Sequence, residues 1–227
     1  MGRRLALAAI GLASLAAAGA GAVYVAYLPL KRRLPARPRT TVDGVTTIAD
    51  AVRACQRTGL RDWDLVAYAQ NLTARKFTYS RLNTWDSPSR AFERGMGYCE
   101  QQALALKRIY DGLGIESWPV FALRCRFPPG VVDGMPWPGG VTGHAWLRVQ
   151  VHGETRDVCP SSPTNRPGVA QFQPLSKPRL LRRWMRPWTR LGSAIENIRR
   201  DTVARRHFQR ARPGVDALNV RTLVERA

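Results

Sequence analysis

Apolar residues at Ala103, Leu106, Tyr110 and Leu113 recur at intervals of three and four, with Lys107, Arg108 and Asp111 between them. That period predicts a helix with one buried face from about Cys99 to Leu113. Gly114 closes it as a left-handed cap. The same spacing at Leu65, Tyr68, Ala69 and Leu72 predicts a helix between Asp62 and Phe77, and Ser87-Pro88 can start a short one toward Phe92. Further on, the period changes to two. Trp118 to Phe127 reads as a strand with Pro119 near its start. From His144 to Val151, Ala145, Leu147, Val149 and Val151 fall on one face, and His144, Trp146 and Arg148 on the other. His152-Gly153 makes a turn and Glu154 to Cys159 returns as a hairpin strand. Between the two long strands, Phe127 to Gly140 holds Pro128, Pro129, Pro136 and Pro138 and reads as irregular chain. One helix followed by antiparallel strands is an α+β pattern.

The ends of the chain differ from this middle. Leu5 to Leu30 carries no charged residue, and a bilayer core needs about 20 such residues. With Arg3 and Arg4 before it and Lys31-Arg32-Arg33 after it, the run predicts an uncleaved transmembrane anchor, with a cleaved signal segment as the alternative. The basic residues after the span place the main domain in the cytoplasm, whereas an export-type start places it outside, so the side stays open. The predicted organisation is a basic N-terminus (1–4), an anchor or signal segment (5–30), a linker (31–42), one α+β domain (43–170) and a basic helical tail (171–227).

Composition sharpens the picture of the tail. The 227-residue chain has a net charge of +20, a field that attracts anionic partners and says nothing of fold. From Gln171 onward there are fourteen Lys or Arg against four Asp or Glu. Leu181, Trp184, Trp188, Leu191, Ile195 and Ile198 make an apolar stripe beside these arginines, divided by Pro187. Such a stripe either lies on anionic lipid or packs on the domain. Nucleic acid is not an expected partner, because no recognition module accompanies the charge.

Four cysteines (Cys55, Cys99, Cys125, Cys159) form no CxxC pair, so no structural metal is expected. Cys99 stands at the first turn of a predicted helix, where the positive end of the helix dipole favours a thiolate. His144 opens a strand about 45 residues later and could carry protons for it.

The run from Trp85 through Gly97-Tyr98-Cys99, then Gly-Leu-Gly114-Ile115, then Gly143-His144-Ala145-Trp146, resembles the bacterial transglutaminase-like superfamily of papain-like cysteine proteases and transglutaminases. The resemblance covers about residues 62–163. It implies a papain-like core in which a catalytic helix packs on an antiparallel sheet, with Cys99 as nucleophile and His144 as general base and acid. Family members carry an Asp-Pro about fifteen residues after the histidine, and here that position holds Cys159-Pro160. Asp157, two residues earlier on the same strand face, is the best available acid. Its alternative is an ordinary cross-strand partner for Arg148, which a two-residue turn would place opposite. Cys159 could also close a disulfide with Cys99.

The function expected from the resemblance is a thiol enzyme acting on amide or peptide bonds of a protein or peptide substrate, without cofactor. Peptidase or amidase activity is preferred over transamidation. The competing class is a catalytically inactive binding module tethered at the membrane.

Overall fold

The computed structural model describes residues 10–11, 14–22, 40–80, 85–132, 135–137 and 139–193, with no side chains over 131–138. Most of the apolar run 5–30 lies outside the described residues, although 14–22 are helical. Among the described residues no helix is long and apolar enough to cross a membrane.

Among the described residues between 40 and 113, four helices lead into the sheet. Helix α1 (Ile48–Arg57) was not legible in the pattern, yet it has a strong start signal. The Thr47 hydroxyl accepts from the Asp50 amide, and the Asp50 carboxylate accepts from the Thr47 amide at 2.8 Å, a reciprocal cap. Helix α2 (Asp62–Lys76), the short α3 (Pro88–Arg94) and α4 (Cys99–Leu113) follow. Strands β1 (Thr78–Tyr79) and β2 (Met96–Gly97) pair in parallel just before α4 and set the entry to it.

Helix α4 is the spine of the molecule. Cys99 to Leu106, Ile109 and Tyr110 are all buried. Its apolar face packs with Val66, Ala69 and Leu72 of α2 and with Leu147 and Val149 of the sheet. The Tyr110 hydroxyl donates to the Val66 carbonyl at 2.9 Å, which supplies the partner a buried phenol needs. Gly114 caps the helix in left-handed backbone at φ 72°.

The main sheet is antiparallel. Strands β3 (Glu116–Phe127) and β6 (Gly140–Val151) form its long central pair, with His144 opposite Ala122 and a register shift between Ala122 and Cys125. Strand β7 (Glu154–Val158) flanks β6 across a turn at His152 and Gly153, both at positive φ. The face alternation expected for 144–151 is present. Leu147 and Val149 meet the helices, while Trp146 packs on the opposite face with Cys125, Cys159 and Phe172.

Two expectations are corrected. The proline-rich stretch is not irregular throughout: β4 (Gly130–Val132) and β5 (Met135–Trp137) pair as a small hairpin, since the prolines still permit extended backbone. The tail does not begin as a helix either. Strands β8 (Gln173–Pro174) and β9 (Arg179–Leu180) pair with β3. A 3₁₀ turn (Arg183–Met185) and helical residues 186–193 come only after them. Leu181 is buried ahead of that helix, drawn onto the domain with Tyr98 and Ala145. Residues 194–227, with Ile195 and Ile198, lie outside the described residues.

Candidate active site

Cys99 stands at the first position of α4, where backbone N–H groups lack helical partners and point outward. The local sequence fixes that position. The Tyr98 amide donates to Gln101 Oε1, Gln101 Nε2 donates to the Asp86 carbonyl, and Gln102 Nε2 donates to the Gly97 carbonyl. Gly97 is closely packed: a Cβ there would sit 3.0 Å from the Phe77 ring and 3.1 Å from Gln101 Oε1, so those side chains would have to give way. Cys99 opens on a cavity of about 470 Å³. Tyr79, Tyr98, Phe121, Trp184 and Trp188 line part of it, and Gly143 and Ala145 of β6 line another part.

Gly143 and Ala145 flank His144 in sequence, while the His144 ring itself turns to the other face of β6, toward Trp146 and Phe172. The ring is 3% exposed and sits among Phe127, Phe172 and Trp146, with centroids at 4.9, 4.5 and 5.9 Å. Its Nε2 lies 3.2 Å from Cys159 Sγ, within hydrogen-bonding reach. Burial holds the imidazole far below its ordinary range, at about 3, because the charged form loses its hydration. Burial pushes the Cys159 thiol up to about 12. Cys125 lies in the same cluster and is also raised to about 12, by burial and then by the neighbouring Cys99 and Cys159. The four cysteines are thiols, in no disulfide.

Asp157 stands elsewhere. It is the register partner of Arg148, and its carboxylate accepts from Arg148 Nε at 2.9 Å, both side chains more than a third exposed. Arg148 lies four residues along β6 from His144, about 13 Å of strand. The acid expected at Asp157 is thus the cross-strand partner of Arg148, and the residue beside the imidazole is Cys159. That Cys159 stands where the resemblance implies an acid was readable. The burial of the ring and the groups that hold Cys159 were not, since they come from residues far apart in sequence.

A second network was also missed. The Glu100 carboxylate, on the cavity wall and 1% exposed, accepts from the Tyr98 hydroxyl at 3.0 Å and from the Thr189 hydroxyl, with Arg190 Nε 3.8 Å away. It ties the start of α4 to helical residues 186–193. Among the described residues no cluster of His, Cys, Asp or Glu could hold a metal.

No family model and no curated protein matches the chain. Among solved structures it is similar to a TGase, with 15% identity over 61% of this chain and 37% of that one, at a TM-score of 0.40. It is also similar to a candidate protease from Parabacteroides distasonis, with 16% identity over 68% and 30% of the two chains, at a TM-score of 0.30. The chain spans about a third of the length of these two proteins.

Proposed function

We propose that this protein is a thiol enzyme acting on amide or peptide carbonyls, with Cys99 as nucleophile and His144 as its proton carrier. The observation that carries the reading is that Cys99, at the open start of a buried helix, shares one cavity wall with Gly143 and Ala145, the residues on either side of His144. In the proposed reaction the Cys99 sulfur attacks the carbonyl carbon while His144 takes the thiol proton. Backbone N–H groups of the first turn of α4 stabilise the oxyanion. The proton then passes to the leaving amine as the C–N bond breaks, leaving a thioester. Water releases the acid in a peptidase or amidase, the outcome we favour, and a second amine releases a new amide in a transamidase. Because burial keeps His144 neutral, it acts as a base during attack rather than as a resting imidazolium. The aromatic walls suit an apolar side chain of a protein or peptide substrate.

We place the domain at a membrane. Trp184 and Trp188 are 65% and 67% exposed, four residues apart, beside the exposed Arg179, Arg182 and Arg183. This surface suits an anionic lipid interface and would act together with the apolar run 5–30.

A second reading, a catalytically silent binding module, is favoured by one fact: Gly143 and Ala145 line the cavity at Cys99 and His144 between them does not. A thiol-reactive amide separates the two. The enzyme predicts stoichiometric, rapid labelling of Cys99 at neutral pH, lost in His144→Ala. The module predicts labelling no faster than a free thiol, unchanged by that substitution.

A further inference from the structure

We propose that Cys159 is the positioning residue for His144, doing with a neutral thiol what a carboxylate would otherwise do; this rests on the Cys99–His144 reading above. Two observations place it. Leu147 pairs with Val158, so the next pair brings Cys159 opposite Trp146, diagonal to His144 on the same face. The Nε2–Sγ separation is 3.2 Å, within hydrogen-bonding reach of a sulfur.

Both partners are held rigidly. The ring stands among three aromatic side chains, two of them edge-on. The Cys159 carbonyl accepts from Gln70 Nε2 and Asn165 Nδ2, each at 3.0 Å. Asn165 Oδ1 accepts from the Gln171 amide, which orients that side-chain amide so that its nitrogen faces Cys159. The Cys159 sulfur also lies 3.1 Å from Ser161 Oγ.

The chemistry of a thiol then sets the tautomer. A carboxylate can only accept, and so forces the proton onto Nε2. A thiol carries one S–H and can also accept. With its S–H directed to Ser161 Oγ, the Cys159 sulfur accepts from Nε2–H. Nδ1 keeps its lone pair and is the nitrogen that takes the Cys99 proton. The weaker acceptor brings no charge to stabilise an imidazolium, which matches a ring that burial keeps neutral.

Nitrogen-15 NMR of the full-length, histidine-labelled protein reads this directly. The expected result is His144 protonated at Nε2 at neutral pH in the wild type and in Cys159→Ser, with that preference lost in Cys159→Ala. A wild-type ring protonated at Nδ1, with Cys159 donating to Nε2, overturns the proposal whatever the enzyme does. The pH profile of Cys99 alkylation is the second readout. Cys159→Ser is expected to keep the profile, and Cys159→Ala to lower the plateau about tenfold or more through misplacement of the ring. Cys159→Asp is expected to move the midpoint to lower pH, because a carboxylate supports the imidazolium and hence the thiolate. Identical profiles in all three variants, with His144→Ala still abolishing fast labelling, refute the role of Cys159 and leave the enzyme standing. Slow labelling in the wild type, indifferent to His144→Ala, refutes both. If the alanine or aspartate variant fails to fold, the tautomer in the wild type and in Cys159→Ser still decides.

Discussion

Acidification from pH 7 to pH 5 should destabilise the protein through His144, and replacing that residue by phenylalanine should remove the effect. The folded ring titrates at about 3 against an ordinary 6.5, with burial as the cause. In the unfolded chain the imidazole takes up a proton as pH falls through 6.5, whereas the folded protein cannot do so until about 3. Stability is therefore lost progressively across that window as pH falls, and the loss is complete near its lower end. One proton of difference corresponds to about 1.4 kcal/mol per pH unit, so roughly 2 kcal/mol should disappear between pH 7 and pH 5 and roughly 5 over the whole window. No discount for solvent is due, since the ring is 3% exposed. The depressed carboxyl of Asp50, held at about 2 by its cap hydrogen bonds, stabilises the fold above its ordinary 3.8 and loses that contribution only as pH falls below it, so this interval is untouched. Urea unfolding of wild type and His144→Phe at both pH values, taken as a difference of differences, isolates the ring, because His152 and His207 are common to both. Phenylalanine suits the site, which already holds Phe127, Phe172 and Trp146 against the imidazole. If both proteins lose equal stability between pH 7 and pH 5, the burial argument is wrong.

Asp157→Asn should leave Cys99 labelling unchanged and shift stability by less than about 1 kcal/mol, since it breaks a partly exposed ion pair with Arg148; a tenfold loss of labelling would restore Asp157 as the acid. With vesicles containing brominated anionic lipid, tryptophan quenching should fall when Trp184 and Trp188 are both changed to alanine, and the wild-type quenching should weaken as salt screens the arginines. Equal quenching of the double variant would remove that surface from the membrane.

The parts of the fold that read from sequence are those governed by local periodicity. Ala103, Leu106 and Tyr110 marked α4, whose observed bounds, Cys99–Leu113, match the expected ones. The alternation from Ala145 to Val151 and the turn at 152–153 gave β6, β7 and the Arg148–Asp157 pairing. Where burial came from distant segments, local pattern gave less. Helix α1 carries Ala, Arg and Gln with few large apolar residues, and its buried side chains are the small Ala51, Ala54 and Cys55. Leu181 belonged by spacing to the Trp184–Trp188 stripe, yet it is buried with Tyr98 and Ala145. For the proposed site, order and spacing singled out Cys99 and His144 as candidates. The direction of the imidazole depended on Phe172, Gln70 and Asn165, which no local spacing connects to residue 144.

On the proposed mechanism, these contacts set how a fully buried histidine would serve Cys99. Glu100, the acidic residue on the cavity wall, is committed to Tyr98 and Thr189 with Arg190 nearby, and the group at Nε2 is a thiol held protonated by burial. Neither stabilises a positive ring. A resting thiolate–imidazolium pair would have to overcome the desolvation that lowers His144 to about 3, with no carboxylate beside the ring among the described residues to help. Proton transfer during attack avoids that standing cost, because the positive ring exists only while negative charge develops beside it. On the proposed mechanism, kcat/KM should therefore show no fall with a midpoint near 6.5, the ordinary imidazole value. A limb there would mean that the ring is solvated when the enzyme works, and that the burial seen around Phe127, Trp146 and Phe172 does not persist in the active form.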